Sequence, residues 1–323
     1  MKTDSRSKLL NLTSTDWIYI TLYLLTAVAF LGFYYGFVEG RYTAFIWLES
    51  SWNSQTDYEH GWMVPLLSGW MLIHACRSLK DEAVKPSLHG IWLTILGGLL
   101  CAISARAQQP RLAIGAIPFL LIGMVWCYWG FKYALKTAFP FLFLWMSIPL
   151  PGFQQATVGM QQLSAQLAHW GAGVCGVNTV LEGTTVTSAT GNWDSFSIAG
   201  GCSGMRSLMA LLMCSIAWGY LADKLSMWKR IVLALSALPL SIIANAFRVA
   251  SIFVCAEYIN PSFAGKTWHD WSGLLFFFPA SLACLVILHS LLAGEIPLLK
   301  KRKIVTRRAT PTENTTEKGE PRA

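Results

Sequence analysis

Long apolar runs alternate with short polar segments along almost the whole chain. The runs cover residues 17–38, 61–75, 91–105, 112–130, 137–150, 207–222, 231–258 and 271–293. A helix takes about 20 apolar residues to cross a bilayer core, so 61–75 and 137–150 are the short members of the set. The run at 17–38 is too long for a removable signal peptide and lacks a small-residue cleavage site, so it reads as a span. The pattern predicts an all-α polytopic membrane protein with about eight transmembrane helices.

The longest interruption, about 151–201, predicts a small external cap. Its first part, 154–173, reads as an amphipathic helix, with Val158, Leu163, Leu167 and Trp170 set against Gln155, Gln161, Gln162 and Gln166. An uncharged helix of this kind is expected on the membrane surface or against the bundle. Threonine and valine then alternate over 184–188, and a second alternating stretch covers 193–198, with Gly191-Asn192 between them. Alternation around a turn signal predicts a β-hairpin. Its exit strand leads to Gly200-Gly201 and to a helix predicted to start at Cys202 or Ser203. The membrane domain is expected to occupy 1–306. The segment 307–323, rich in Thr, Glu, Lys, Arg and Pro, is expected to be a disordered cytosolic tail.

Composition agrees with the pattern. Hydrophobic residues make up 54% of the 323 positions and charged residues 13%, the profile of a membrane protein. The net charge of +8 does not point to nucleic acid, because the basic residues lie in short clusters between apolar runs. With both termini in the cytosol, the cytosolic segments hold 19 basic residues: Lys2, Arg6 and Lys8, then clusters at 77–85, 132–136 and 224–230, then the tail from Lys300. The opposite face holds four, Arg41, Arg106, Arg111 and Lys266. The positive-inside rule therefore sets the orientation, with the cap outside. Six of the eight cysteines lie in or directly beside apolar runs, and only Cys175 and Cys202 fall in the long external segment. There is no CxxC pair and no zinc-ligand spacing, so neither a metal nor a cofactor is expected.

Candidate chemistry gathers on the external face. Cys202 stands where a polar stretch gives way to an apolar one, beside Ser203, a good N-cap residue. Unpaired amides and the helix dipole at such a start favour an anion and lower a thiol's pKa, and Arg206 adds a cation one turn on. Alone, a cysteine at a span end more often reads as a packed small hydrophobe. Arg248 lies inside an apolar run, where an arginine is costly unless paired or facing water. Eighteen residues beyond Arg230, it stands ~27 Å across the bilayer at ~1.5 Å per residue, near the external edge of a ~30 Å core. Snorkelling to headgroups is its bland reading. Asn245, one turn earlier, is placed to hydrogen-bond it. His269 occupies the loop before the last run, next to Asp270, and suits proton transfer near neutral pH. His60 and His169 are external too, and composition does not choose among the three.

Three motifs in order carry a resemblance. They are Gly201-Cys202-Ser203-Gly204-Met205-Arg206, Ala244-Asn245-Ala246-Phe247-Arg248-Val249 and His269-Asp270-Trp271-Ser272-Gly273. His60-Gly61 with Val64 and Pro65, Phe139-Pro140 and Ile148-Pro149-Leu150-Pro151 support them, and Met205 and Phe247 stand where Leu or Ile is often found. In these features the chain resembles the exosortase/archaeosortase family of membrane cysteine transpeptidases. The resemblance implies Cys202, Arg248 and His269 as an active-site trio, and so selects His269 over His60 and His169. Cys202 would form a thioester with a peptide carbonyl, Arg248 would bind the oxyanion or align substrate, and His269 would move the protons. Ser203, Arg206, Asn245, Asp270 and His60 would support them. The implied partners are secreted proteins ending in a short Pro-Glu-Pro-like motif, a helix and a basic tail, an acceptor nucleophile of unknown identity, and membrane lipids. The competing expectation is a non-enzymatic lipid- or polysaccharide-handling protein that uses Arg248 and His269 to bind anionic headgroups.

Overall fold

The computed structural model describes residues 35–37, 40–198 and 204–294, with the side chain of Gln154 excepted. The expected span at 17–38 falls almost wholly outside them, as do Cys202, Ser203 and the tail 307–323. The described residues 35–37 are not helical, and Phe37 pairs with Tyr42 in an isolated bridge.

The described residues form a mainly helical fold with one small sheet. Helix α1 (Ala44–Ser50) and a tight turn of helix at Glu59–Trp62 lead into α2 (Met63–Arg77). Helices α3 (Gly90–Ala107), α4 (Pro110–Trp129), α5 (Phe131–Phe143) and α6 (Phe153–Val174) follow. Strands β1 (Thr179–Glu182), β2 (Thr185–Ser188) and β3 (Ser195–Ser197) precede α7 (Met205–Leu221) and α8 (Met227–Leu235). The described chain ends with α9 (Ala237–Tyr258) and α10 (Pro261–Ala293).

Four of these stretches are long and apolar enough to cross a membrane: α3, α4, the 32-residue run of α8 and α9 together, and α10. The apolar runs at 61–75, 137–150 and 207–222 contain or overlap the shorter helices α2, α5 and α7, of 15, 13 and 17 residues. The interruption between α8 and α9 at Ser236 has a local cause. Pro239 has no N–H to give the carbonyl of Leu235, so the helical ladder loses a rung there. Helices α3 and α4 approach closely at Gly90, Gly97 and Gly123, where any added Cβ would overlap the facing helix. Close approach through small residues drives helix association where lipid removes the hydrophobic effect.

The amphipathic helix expected at 154–173 is present as α6, but a different face is buried. Ala165, Ala168 and Ala172 are fully buried and pack with Val249, Ala250 and Phe253 of α9. Val158, Leu163 and Trp170 are exposed instead. Small residues win the interface because they let the two backbones approach, and Gly171 leaves only 3.1 Å between an added Cβ and that of Ala250.

The sheet is antiparallel in the order β1-β2-β3. The hairpin expected around Gly191-Asn192 is the β2–β3 pair, with Val186 opposite Phe196. Strand β1 adds a third member through the Gly183 turn, where φ is +64°, and sets Leu181 opposite Val186. The β2–β3 connection is fastened to the end of α9. The Glu257 carboxylate accepts from Asn192 Nδ2 (2.6 Å), Thr190 Oγ1 (2.9 Å) and Trp193 Nε1 (2.9 Å). The Trp193 ring also stacks on Phe253, 5.7 Å away at 7°. Together these contacts tie the strand that leads toward Cys202 to α9.

Residues 264–277 correct another expectation. The sequence predicted His269 in a loop before the last span, whereas α10 is helical from Pro261 onward. Two π-helical segments, Ala264–Trp268 and Gly273–Phe277, flank a single α-helical turn at His269–Ser272. Local sequence periodicity at 3.6 residues misses such a stretch, because wide turns shift the register of the apolar positions. Replacing Glu257 by Ala removes the shared acceptor of the β2–β3 connection. Limited proteolysis should then cut within 189–194 faster than in the unaltered protein, with a lowered melting temperature.

Candidate active site

The start of α7, the middle of α9 and the first half of α10 meet at a cavity of about 490 Å³. The turn before α2 closes its other side with Glu59 and His60. This volume lies within the few hundred to one thousand Å³ usual for a ligand site. Polar and charged groups, Arg206, Asn245, Arg248 and Asp270 among them, share the wall with apolar Leu211, Ala244, Leu274 and Phe277.

Helix α7 begins at Met205, three residues after Cys202, rather than at Cys202 or Ser203. Gly204 precedes it with φ +77°, a left-handed backbone. It also lies against α9: a Cβ added there would come within 2.7 Å of Asn245 Cγ. Both demands are met by glycine alone. Cys202 and Ser203 are outside the described residues, but the chain on either side of them is held to α9. Ile198 is buried in the core that α9 shares with α6, and Gly204 packs on Asn245.

Asn245 is buried and donates from Nδ2 to Ser164 Oγ on α6 (3.0 Å). Arg248, half-buried one turn along, donates from Nη2 to the main-chain oxygen of His269 (2.9 Å). This bond joins α9 to the α-helical turn between the two π segments of α10. Gly273, on the same side of α10, leaves room for the guanidinium: a Cβ there would stand 3.0 Å from Arg248 Nε and 3.2 Å from Cζ. His269 is not itself a lining residue. Its ring Nδ1 lies 3.0 Å from Asp270 Oδ1, and Asp270 does line the cavity. With Asp270 70% exposed, this pair orients the ring more than it stabilises the fold.

Arg206 was expected to serve as a cation beside the thiol. Its guanidinium is already engaged by acids that sequence reasoning missed. Nε lies 2.9 Å from Glu59 Oε2, and Nη2 lies 3.5 Å from Asp57 Oδ1 and donates to the Ser54 carbonyl at 3.2 Å. Asp57 is buried and sits at φ +58°. Burial pushes its carboxyl up from the usual range, and the Arg206 charge and hydrogen bond oppose that. The signal was present in the acids at 57 and 59, which stand beside a span start in a chain with few charges.

The three histidines expected on the external face have different settings. His169 meets Thr179 Oγ1 at 2.6 Å and ties α6 to β1. His269 is described above. His60 is buried and forms part of the cavity wall. Burial lowers its pKa, and hydrogen bonds with the main chain of Met146 and Asp57 offset this in part.

A polytopic helical membrane fold with a polar cavity shared by three separate sequence motifs defines the class. Residues 52–287 match the family model of the transmembrane exosortases, and the chain belongs to that family. No curated protein and no solved structure matches it significantly.

Two substitutions test the geometry. Gly204→Ala carries a left-handed cost of about 1–2 kcal/mol and a clash with Asn245, so its melting temperature should fall below that of the unaltered protein. Gly273→Val should displace the Arg248 guanidinium from the His269 main-chain oxygen and lower the melting temperature as well.

Proposed function

We propose that this chain is a membrane-embedded cysteine transpeptidase that cleaves C-terminal sorting signals of secreted proteins and passes them to an acceptor. The observation that carries the reading is the meeting of the Gly204–Arg206, Asn245–Arg248 and Asp270–Gly273 segments at one cavity. Family membership supports a membrane transpeptidase role.

In this mechanism the Cys202 thiolate attacks the carbonyl carbon of the scissile peptide bond. The developing oxyanion is stabilised by the Arg248 guanidinium, a planar fork of N–H donors. The C–N bond breaks, the leaving amine takes its proton from the His269 imidazolium, which becomes neutral imidazole, and a thioester remains on Cys202. His269 then accepts a proton from the acceptor nucleophile, which attacks the thioester and returns the thiolate. Water as the acceptor gives hydrolysis by the same route. Asp270, 3.0 Å from His269 Nδ1, favours the tautomer or the imidazolium needed in each half. The Gly204 contact and the Arg248 bond to His269 bring the segments carrying these groups to one helix, α9.

The same reading sets the topology. The site lies at the external face of the cytoplasmic (inner) membrane, both termini are cytosolic, about eight helices cross, and the sheet with α6 forms an external cap. The strong bias of basic residues toward the segments assigned to the cytosol supports this orientation.

The test uses cells expressing a secreted reporter with a Pro-Glu-Pro-like motif, a helix and a basic tail. With Cys202→Ala the full-length reporter should accumulate, and normal processing by that variant would overturn the proposal. Arg248→Lys keeps the charge but not the planar fork. Loss of one charge-assisted hydrogen bond lowers turnover by about 10- to 100-fold, which the processing rate should show.

A further inference from the structure

We propose that Ser164 is a positioning residue for the nucleophile: through Asn245 it sets the place of Gly204, and with it that of Cys202. The proposal rests on the transpeptidase reading and adds a residue of α6 that stands behind Asn245, itself part of the cavity wall.

Three observations converge. Ser164 and Asn245 are each only 3% exposed, and their 3.0 Å hydrogen bond joins two helices whose other buried contacts, Ala165, Ala168, Val249 and Ala250 among them, are apolar. A buried polar pair in such a setting fixes an orientation, because turning away would lose the bond where little else replaces it. Asn245 in turn meets Gly204. A Cβ added to Gly204 would stand 2.7 Å from Asn245 Cγ, 2.8 Å from Nδ2 and 2.9 Å from Cβ. With Cγ the nearest of the three, that point lies over the plane of the amide, so the amide presents its face to the Gly204 main chain. Finally, Gly204 has φ +77° and leads directly into α7. Cys202 lies two residues before it in sequence, within about 7 Å by any path of the chain.

These contacts form a relay of fixed positions. The terminal torsion of an asparagine is broad on its own, and the Ser164 hydroxyl holds it at one value. A turned amide would drive an edge into the Gly204 main chain or open a gap against it. Gly204 has no side chain to absorb the change, so the start of α7 moves, and Cys202 just ahead of it moves too. Arg248 and His269 are joined by a separate bond, from Arg248 Nη2 to the His269 main-chain oxygen at 2.9 Å. Loss of the Ser164 hydroxyl therefore shifts the thiol relative to that pair without removing a group that touches substrate. Misplacement by about 1 Å costs about 100-fold in rate, so the effect falls on turnover rather than on binding.

The experiment compares Ser164→Ala, Ser164→Thr and Ala168→Gly with the unaltered full-length protein in membrane vesicles, using the signal-bearing reporter as substrate. Ala168 is fully buried one turn along α6, so Ala168→Gly loosens the same helix pair but keeps the Ser164–Asn245 bond. Ser164→Ala should lower kcat by about 10-fold or more with KM little changed. Ser164→Thr keeps the hydroxyl and should recover most of that rate. Ala168→Gly should lower the melting temperature and leave kcat near that of the unaltered protein. A second readout needs no substrate: the pH midpoint of iodoacetamide labelling at Cys202, located by mass spectrometry. It should rise in Ser164→Ala, because a displaced thiolate loses the charge and amides that stabilise it, and stay in place in Ala168→Gly. An unchanged kcat or an unmoved midpoint in Ser164→Ala would overturn the proposal. So would a Thr variant as impaired as Ala, or an equal loss of kcat in Ala168→Gly. Failure of the unaltered protein to process the reporter would instead remove the transpeptidase reading, and the labelling midpoints would still decide whether Ser164 positions Cys202.

Discussion

The structure depends on keeping an arginine supplied with polar partners on a helix that is otherwise apolar. Arg248 sits in the middle of α9, and a guanidinium at such a position is costly unless oxygen atoms or water surround it. The main-chain oxygen of His269 supplies one partner, and the two π-helical segments on either side of that turn are where α10 departs from a regular helix. Wide turns of this kind are common at functional sites because they re-aim main-chain groups. Gly273 completes the arrangement by leaving the guanidinium its space. The cavity follows from the same constraint, since helices gathered around a charged group do not close over it as they do over leucines.

Helix α9 organises the rest. Along one helix it carries Asn245, which meets Gly204 and Ser164, then Arg248, then the small and aromatic residues that pack α6 and the sheet, and finally Glu257, which gathers the β2–β3 connection. The described residues before and after Cys202 are therefore both referenced to a single rigid element. Sites built on regular elements hold geometry better than sites built on free loops.

Much of this was legible in the chain. Apolar runs located the helices, because burial in lipid imposes a coarse composition that survives any detail of packing. The Gly191-Asn192 turn located the hairpin, and Arg248 announced itself as a charge in an apolar run. Other features were hidden for physical reasons. The buried face of α6 is made of alanines, which carry little hydrophobic signal next to Trp170 and Leu163. Strand β1 is only four residues long. The helical setting of His269 depends on π turns that a 3.6-residue period does not recognise. The engagement of Arg206 by Asp57 and Glu59 joins residues about 150 positions apart, and local pattern does not reveal such pairs.

The central claim is that Cys202 carries the substrate as a thioester while the groups around Arg248 manage charge and protons. Its most direct test is mass spectrometry of the purified full-length protein, quenched in acid during reaction with a signal-bearing substrate. The account predicts an adduct on the peptide containing Cys202, with the mass of the substrate fragment on the N-terminal side of the cut, and its release by hydroxylamine. Cleaved substrate without any such adduct, or an adduct at a different cysteine, would contradict it.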